Sequence, residues 1–453
     1  MIPLNRFPRL HFTGIGGAGM APLAAWHAAR GFVVTGTDRE ESSNLAWLRS
    51  LGVDARAGHD PSLACAASLV VRTSAVPLEH PEIAAALKAC VPVVRRAEAL
   101  GEVTRSSRAL CIAGTHGKTT TTLMLGRILR EAGLDPCVLP GGVPSDPQDA
   151  IAPGANGPLV VETDEFDRTF LRFHPDVAVV TNLEEDHLDC YEDLADLDRT
   201  FRQFLSKLPF HGRAFLCQDD AGSRGLAAGL EAEAMTYGFS DGARLRGVDL
   251  GEDSFEVRLD GRFLTKVSLA IAGRHNRLNA LAALGVAVGE GVDPDIAAKA
   301  LAGFRGARRR LDFVGSRGGC PVVEDYAHHP TELSATLQAL RESQGGRRIA
   351  IVFQPHLYSR TAHFARAFAQ ALDAADLALV APVYPARETP EQGLPSSAIA
   401  ERALPGSRLE LVSGRTEAFR RMADLALQGD WVLVFAGAGD VGSWAREFAG
   451  GEP

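Results

Sequence analysis

The sequence lacks the features that identify several large classes of protein. Its seven cysteines are scattered, odd in number and form no Cys-x-x-Cys pair, so they indicate neither a disulfide framework nor a zinc knuckle. No apolar stretch reaches the length that a bilayer requires, and the opening residues MIPLNRFPRL lack the apolar core of a secretory signal. Basic residues are in deficit, with 47 Lys and Arg against 56 Asp and Glu, whereas nucleic-acid-binding proteins are more often basic. We therefore expect a cytoplasmic protein that binds neither membrane nor nucleic acid.

The 453 residues, 46% of them hydrophobic, are enough to form two or three domains with separate cores. Strand-like apolar runs alternate with alanine-rich helical stretches, which predicts α/β domains with parallel sheets. One segment, SFEVRLDGRFLTKVSLAI, instead alternates with period two around Asp260-Gly261 and predicts an antiparallel hairpin. Polar stretches at 102–108 and 304–311 precede new strands and mark the expected boundaries. The predicted domains are 1–104, 105–306 and 307–453.

The first predicted domain opens on a glycine turn between two apolar strands. A short strand runs into Gly14, Gly16 and Gly19, a helix follows, and a second strand, Phe32–Val34, precedes Asp38. This order matches the Gly-x-Gly-x-x-Gly fingerprint, in which backbone N–H groups and a helix N-terminus face a diphosphate. The turn alone is compatible with an NAD-dependent oxidoreductase and with a protein that uses the same backbone for another ligand.

A second glycine turn, in CIAGTHGKTTTTLMLGRIL, is the strongest signal in the chain. A strand leads into Gly114, and a helix begins at Gly117-Lys118-Thr119. Backbone N–H groups, the helix N-terminus and the Lys118 charge all favour phosphates, and the Thr119 hydroxyl can ligate Mg²⁺. The turn is shorter than the usual P-loop, because Ile112 stands where that loop has its first glycine. We predict a nucleotide-binding P-loop domain, for which a hydride-transfer enzyme has no need.

Acidic residues follow the next predicted strand, in LVVETDEFDRTFL. Glu162 ends that strand, and Asp164, Glu165 and Asp167 come after it. A carboxylate at the end of a strand beside a P-loop is where the Mg²⁺ of a nucleotide is held. The alternative is a solvated acidic loop, which is the commoner fate of such clusters.

Two further stretches carry polar side chains at positions suited to a nucleotide. VVTNLEEDHLDCY places Asp186, His187 and Asp189 after a strand, where oxygen ligands with one imidazole can hold a second divalent ion. The alternative is that His187 is a packed loop residue. In AGRHNRLNALAALG, Asn276 and Asn279 share a helix face and can hydrogen-bond the edge of an adenine, although Asn276 could instead cap the helix.

The third predicted domain also places polar residues at strand ends, where open parallel sheets bind ligands. Arg308–Arg310 have guanidinium groups suited to phosphate oxygens. A late glycine motif, VFAGAGDVGS, is interpreted as a strand-to-helix turn without a cofactor. The polar residues at strand ends are Glu324, Asp325, Tyr326, His328, His329, Gln354, His356, Tyr358 and Arg360.

In this order the stretches resemble the Mur ligases, ATP-dependent enzymes that add amino acids to the bacterial cell-wall precursor. The resemblance covers nearly the whole chain and depends on these motifs: HFTGIGGAGM, TSAVPLEHPEI, VPVVRRAEAL, AGTHGKTTTT, VVETDEFDRTFL, TNLEEDHLD, GRHNRLNALAA, DYAHHPTE and FQPHLYSRT. The chain departs from the family pattern at Thr163 and Phe166, and at Leu357, where the family often has Arg. It offers no counterpart of the modified lysine found near the second metal in other members.

The resemblance implies three α/β domains: a Rossmann-like N-terminal domain, a central P-loop ATPase domain with a mostly parallel sheet plus a small antiparallel hairpin, and a Rossmann-like C-terminal domain. It implies that the first glycine turn holds the diphosphate of a UDP-sugar, and that the cofactors are ATP and Mg²⁺. The implied substrate-binding residues are Gly14, Ile15, Gly16, Gly17, Ala18, Gly19, Asp38, Ser74, Tyr326, His328 and Arg360. The implied ATP-binding residues are Gly114, Thr115, His116, Gly117, Lys118, Thr119, Thr120, Asn276, Asn279, Arg310 and Asp325. The implied metal ligands are Thr119, Glu162 and His187, and the implied catalytic residues are Lys118, His187, Arg310, His328 and Arg360.

The activity implied by the resemblance is amide formation between L-alanine and the lactyl carboxylate of UDP-N-acetylmuramate, through an acyl phosphate. Three alternatives stay open on the sequence: a recycling ligase that adds a preformed murein tripeptide, an NAD-dependent oxidoreductase, and a nucleotide-binding regulator without catalysis. The expected partners are small-molecule substrates, and the expected state is a monomer or homodimer.

Overall fold

The strands form three sheets, of which the first two lie in one compact unit and the third in another. The first unit comprises residues 1–268 and 278–304, and the second comprises 269–277 and 305–453. The predicted boundaries near 104 and 306 remain predictions. The computed structural model describes residues 6–73, 75–146, 154, 157–186, 190–251 and 254–450.

The first sheet is parallel, with the strand order β3-β2-β1-β4-β5. This is the order of a Rossmann domain, as the first glycine turn predicts. The strands are β1 Arg9–Thr13, β2 Val33–Asp38, β3 Asp54–Ala57, β4 Leu69–Arg72 and β5 Val93–Arg95. The helices are α1 Met20–Ala29, α2 Ser43–Ser50, α3 Pro61–Ala66, α4 Pro81–Lys88 and α5 Arg96–Arg105.

The second sheet joins a parallel half to an antiparallel edge, in the order β14-β13-β12-β11-β10-β9-β6-β8-β7. In its parallel half, β6 is buried along its whole length between β8 and β9. The strands are β6 Ala109–Ala113, β7 Cys137–Leu139, β8 Leu159–Glu162, β9 Val177–Val180, β10 Arg213–Cys217, β11 Glu233–Gly238, β12 Leu245–Gly251, β13 Ser254–Leu259 and β14 Arg262–Ser268. The helices are α6 Lys118–Glu131, α7 Leu194–Leu205, α8 Ala221–Gly225, α9 Arg274–Gly289 and α10 Pro294–Ala302, with a 3₁₀ segment at Phe166–Arg172.

The antiparallel hairpin predicted around Asp260-Gly261 is confirmed by the pairing of β13 with β14. Both turn residues have positive φ, 47° at Asp260 and 83° at Gly261, as a two-residue hairpin turn requires. The third strand of this edge, β12, pairs antiparallel with β13 and parallel with β11, so it joins the hairpin to the parallel half.

The third sheet has the order β15-β16-β20-β17-β18-β19 and is parallel except at its first strand. β15 runs antiparallel to β16 through a turn at Gly318-Gly319, a departure from the parallel pattern expected of this domain. The strands are β15 Asp312–Arg317, β16 Cys320–Asp325, β17 Arg348–Phe353, β18 Leu377–Val380, β19 Leu409–Leu411 and β20 Trp431–Ala436. The helices are α11 Pro330–Ser343, α12 Tyr358–Leu372, α13 Ser397–Ala400, α14 Arg415–Ala426 and α15 Val441–Ala449, with a 3₁₀ turn at Pro390–Gln392.

The late glycine motif forms the turn between β20 and α15, as predicted, with Gly437 at a φ of 147°. Among the described residues, the helices are too short or too polar to cross a bilayer.

Candidate active site

The phosphate loop between β6 and α6 has a backbone that only glycine fits at two positions. Gly114 has a φ of 126° and Gly117 a φ of 81°, both outside the range that other residues favour. A Cβ on Gly114 would collide with the Thr181 hydroxyl, and one on Gly117 would lie 2.5 Å from Oδ1 of Asn279. The loop thereby brings its backbone to the start of α6, where the first N–H groups have no partner within the helix and attract an anion.

The segment after β9 fixes the shape of this loop. The Thr181 hydroxyl donates to the carbonyl of His116 at 2.6 Å, and the His116 N–H donates to Oδ1 of Asn182 at 2.8 Å. One residue earlier, the Thr115 hydroxyl accepts from the N–H of Glu184 at 3.0 Å. These bonds fix the shape of the loop.

Lys118 is tied to the loop and to a buried carboxylate. Its Nζ donates to the carbonyl of Gly114 at 2.7 Å and to Oε2 of Glu165 at 2.7 Å. Glu165 is 1% exposed, and its carbonyl accepts from the Tyr191 hydroxyl at 2.6 Å. Burial alone would lower the pKa of Lys118, but Glu165 and its acidic neighbours outweigh burial and raise that pKa, so Lys118 is a cation at neutral pH.

The acidic cluster after β8 is therefore a set of distinct groups and not one solvated loop. Glu165 serves as the counterion of Lys118, whereas Glu162 faces Thr119, whose hydroxyl donates to its Oε2 at 2.8 Å. The backbone N–H of Gly141 donates to the same oxygen at 2.5 Å, and a Cβ on Gly141 would lie 2.5 Å from the other oxygen. Sequence reasoning missed Gly141, although the Gly-Gly pair after β7 was a visible signal of a close backbone approach.

The corner formed by Thr119 and Glu162 fits Mg²⁺, because a hydroxyl and a carboxylate are the hard oxygen ligands that this ion prefers. Burial raises the pKa of Glu162, and a bound cation would offset that cost by stabilising the charged form. The predicted ligand of a second ion, His187, lies outside the described residues, as does Asp189. Asp186 is described and buried.

The two predicted adenine contacts, Asn276 and Asn279, are both buried in α9. Asn279 lies against Gly117 of the phosphate loop. Asn276 is the third residue of the helix, and its Nδ2 donates to the carbonyl of Ala272 at 2.7 Å. An N-cap side chain accepts from a backbone N–H in the first turn, so the bond formed here is not that of the capping alternative.

The first glycine turn is closed by hydrogen bonds to the end of β2. The N–H groups of Gly14 and Ile15 donate to the carbonyl of Thr37 at 2.8 and 3.0 Å. The N–H of Gly16 donates to Oδ2 of Asp38 at 2.8 Å, so this predicted substrate residue supports the turn itself. Gly17, Ala18 and Gly19 complete the turn before α1, and Ser74 lies outside the described residues.

A cation that sequence reasoning missed lies beside this turn. Arg96 is the first residue of α5, and a Cβ on Gly19 would lie 2.6 Å from one of its terminal nitrogens. Arg96 lies in the motif VPVVRRAEAL, but nothing in that motif indicates which of its two arginines contacts the turn.

In the second unit, Asp325 is buried at the end of β16 and accepts from the N–H groups of Leu311 and Ala327, both at 2.7 Å. Burial raises the pKa of Asp325 to about 6. Arg310 forms an ion pair with Glu332 at 3.0 Å. Both predicted ATP residues, Arg310 and Asp325, therefore have protein partners in this structure.

The predicted amino-acid side of the third domain comes together around Tyr326. The guanidinium of Arg310 lies 5.3 Å from the Tyr326 ring, and Nδ1 of His328 donates to the Tyr326 carbonyl at 3.0 Å. That bond leaves Nε2 of a neutral His328 as an acceptor. Arg360 is buried in α12, with one terminal nitrogen 3.5 Å from Nδ1 of His356.

Arg309, one of the three arginines whose guanidinium groups suit phosphate oxygens, is held by protein partners. Its guanidinium pairs with the buried Glu324 at 2.8 Å and donates to the carbonyls of Gly437 and Gly439, both at 3.2 Å. It therefore fixes the turn between β20 and α15.

The chain matches three family models in succession. Residues 9–108 match the model described as Mur ligase family, catalytic domain, residues 112–287 match Mur ligase middle domain, and residues 309–439 match Mur ligase, glutamate ligase domain. These segments correspond to the three sheets.

Curated relatives match over almost their full length. A UDP-N-acetylmuramate–L-alanine ligase of Paenarthrobacter aurescens is 43% identical over 97% of this chain and 96% of its own. One of Salinibacter ruber is 41% identical over 97% of this chain and 94% of its own.

Solved structures show the same architecture. A UDP-N-acetylmuramate–alanine ligase of Thermotoga maritima has a TM-score of 0.78 at 28% identity, covering 98% of both chains. A murein peptide ligase of Psychrobacter arcticus has a TM-score of 0.70 at 25% identity, covering 97% of this chain and 98% of its own. With three matching domains, two glycine turns and full-length relatives above 40% identity, the chain belongs to the Mur ligase family.

Proposed function

We propose that this chain is an ATP-dependent ligase that joins L-alanine to the lactyl carboxylate of UDP-N-acetylmuramate. The observation that carries the proposal is the presence of two anion-binding turns in one chain, with full-length relatives of that activity at 41–43% identity. A reaction between two nucleotide-bearing substrates needs both turns, whereas an oxidoreductase would leave the Lys118 loop without a purpose.

The proposed reaction has two steps. The lactyl carboxylate attacks the γ-phosphorus of ATP, which forms an acyl phosphate and releases ADP. The amine of L-alanine then attacks the acyl carbon, and the tetrahedral intermediate collapses to an amide, inorganic phosphate and a proton. Because ATP supplies the activation, no serine or cysteine nucleophile is required, and the protein acts by positioning and by screening negative charge.

The residues around the phosphate loop suit this task. Lys118 would bind the transferred phosphoryl group, and the loop N–H groups would bind the remaining phosphates. Thr119 and Glu162 would hold Mg²⁺, which neutralises phosphate charge when bound. Asn276 and Asn279 would contact the adenine, and His187 remains the predicted ligand of a second ion.

In the third domain, Arg310 would screen phosphate charge and Asp325 would bind the ATP ribose. Asp325 already accepts two backbone N–H groups, so its remaining lone pairs would accept from the ribose hydroxyls. Tyr326, His328 and Arg360 would face the muramyl and alanine groups. Arg360, as a guanidinium, suits the carboxylate of an amino acid.

The test is phosphate release from ATP with UDP-N-acetylmuramate and, in separate reactions, L-alanine, L-serine, glycine or murein tripeptide. We expect release with L-alanine and formation of the corresponding amide product. Release with the tripeptide alone would favour the recycling ligase, a function for which a related solved structure exists. No release with any acceptor would overturn the ligase assignment.

A further inference from the structure

A buried carboxylate beside the first sheet is hydrogen-bonded to residues that support the first glycine turn. Glu82, in the first turn of α4, is 0% exposed. Its Oε2 accepts from the Thr13 hydroxyl at 2.8 Å, and its Oε1 accepts from the Thr37 hydroxyl and the Asp60 N–H, both at 2.7 Å. One side chain therefore connects β1, β2 and the loop after β3.

The carboxylate is ionised and closely surrounded. Nε2 of the buried His11 lies 3.2 Å from Oε2 of Glu82, and a carboxylate only accepts, so His11 donates from that nitrogen. Burial would raise the pKa of Glu82, but hydrogen bonds from His11, Thr37 and other donors lower it to about 2. Burying a charge is costly, and an apolar side chain could fill the same space more cheaply.

Two of the donors to Glu82, Thr13 and Thr37, adjoin or bond the first glycine turn. Thr13 directly precedes Gly14, and the Thr37 carbonyl accepts the N–H groups that begin the turn. Thr37 also precedes Asp38, whose carboxylate accepts from Gly16 and whose carbonyl accepts from Gly58 at 2.8 Å. A shift of Glu82 would pass through one residue on each strand to the backbone of the glycine turn.

We propose that Glu82 is a positioning residue for the sugar nucleotide: by joining Thr13, Thr37 and Asp60 it fixes the first glycine turn in the shape that binds the UDP-sugar diphosphate. This inference depends on the proposed function. It assigns no contact between Glu82 and substrate, because the carboxylate is buried. Its consequence is that Glu82 affects sugar-nucleotide binding and leaves ATP binding at the separate phosphate loop unchanged.

Glu82→Gln tests this role, with the exposed neighbour Glu79→Gln as the matched control. An amide nitrogen donates where a carboxylate oxygen accepts, so the variant cannot accept from both Asp60 and the β1 donors. We expect the KM and Kd for UDP-N-acetylmuramate to rise about tenfold, with kcat and the KM for ATP changed less than about twofold. Kinetics and calorimetric titration of the sugar nucleotide measure these changes.

A residue that only stabilised the fold would lower Tm and the active fraction, which reduces kcat and leaves both KM values unchanged. That result, or wild-type affinity in E82Q, would overturn the role of Glu82. If E82Q does not fold, Thr37→Val decides, because it keeps the carboxylate and removes one donor; we expect a smaller rise in the same KM. If the wild-type protein and E79Q also fail to bind the sugar nucleotide, the proposed function fails, and not the role of Glu82 alone.

Discussion

At the scale of single residues, Lys118 serves both the stability of the fold and the proposed reaction. Its ammonium is paired at 2.7 Å with Glu165, which is almost wholly buried, and lies at the start of the helix that would face the phosphates. Removal of the cation therefore has two effects, one on folding and one on phosphoryl transfer, and a second substitution can separate them.

We expect Lys118→Met to lower the free energy of unfolding by about 3 kcal/mol, because the Glu165 carboxylate stays buried without this cation. Lys118→Met/Glu165→Met should recover most of that loss, since an apolar pair fills the space without a desolvation cost. Phosphate release should fall by about 100-fold or more in both variants, because neither can bind the transferred group. Urea unfolding and phosphate-release kinetics check the two effects.

The control for this pair is Lys88→Met, at an exposed lysine in the last turn of α4. It should change neither stability nor turnover appreciably. Recovery of activity together with stability in the double variant would contradict a direct role of Lys118 in the reaction.

Asp325 predicts a pH dependence of stability. Its pKa of about 6 in the folded protein exceeds the ordinary 3.8, so between those values the folded state binds more protons than the unfolded state. The free energy of unfolding contributed by this group therefore falls as pH rises from about 4 to about 6, by about 3 kcal/mol in total.

Asp325→Asn should remove that fall. The free energy of unfolding of the variant, relative to that of the wild type, should therefore increase as pH rises from about 4 to about 6. Urea titrations at several pH values measure the difference between the two proteins. Parallel curves for the two proteins would show that Asp325 titrates at its ordinary pKa.

At the scale of elements, the phosphate loop depends on a left-handed glycine that also needs room. Gly117→Ala combines backbone strain with a Cβ 2.5 Å from Oδ1 of Asn279, whereas Gly133→Ala, at the other end of α6, has a similar φ of 75° and open space. We expect both to lose about 1 kcal/mol of stability from strain. G117A alone should raise the KM for ATP by about tenfold, because a shift of the loop or of Asn279 disturbs the nucleotide site. Equal KM values in the two variants would contradict that assignment.

The elements that the sequence predicts are those with a local pattern. β6 and α6 follow from an apolar run, two glycines and a helix start that are contiguous. A strand was expected after 304–311, where β15 lies, but its antiparallel pairing with β16 was not predicted, because a register shift between Phe313 and Gly315 breaks the alternation typical of a half-buried antiparallel strand.

Contacts between site residues that are far apart in the sequence could not be predicted from local sequence patterns either. Glu165 lies 47 residues after Lys118, among four acidic residues of which any could have been its partner. Arg96 reaches Gly19 only because the fold brings the start of α5 beside the start of α1. Periodicity predicts elements, but the choice of partner among equivalent charges is made by the packing of those elements.

At the scale of the whole molecule, the protein carries a net charge of −9 while both proposed nucleotide substrates are anions. Long-range attraction therefore cannot concentrate them, and binding has to come from local positive potential. Under the proposed function, the helix N-termini at the two turns would supply it, with Arg96 beside the first turn and Lys118 at the end of the second. Since Arg96 begins the helix that follows the first sheet and Lys118 begins the helix that follows β6 of the second, each ligand should depend on its own turn.

This separation predicts how ligands change thermal stability. A ligand at about 100 times its Kd stabilises the folded state by about 2.7 kcal/mol, which raises the Tm of a unit of this size by several degrees. UDP-N-acetylmuramate should give the same shift in the wild type and in Lys118→Met, because its diphosphate binds at the first turn. ATP with Mg²⁺ should shift the wild type and not the variant, because Lys118 and its loop hold the triphosphate. Differential scanning calorimetry with each ligand separately measures the four shifts. Loss of the sugar-nucleotide shift in K118M would mean that the two turns form one coupled site, and an ATP shift of full size in K118M would remove Lys118 from nucleotide binding.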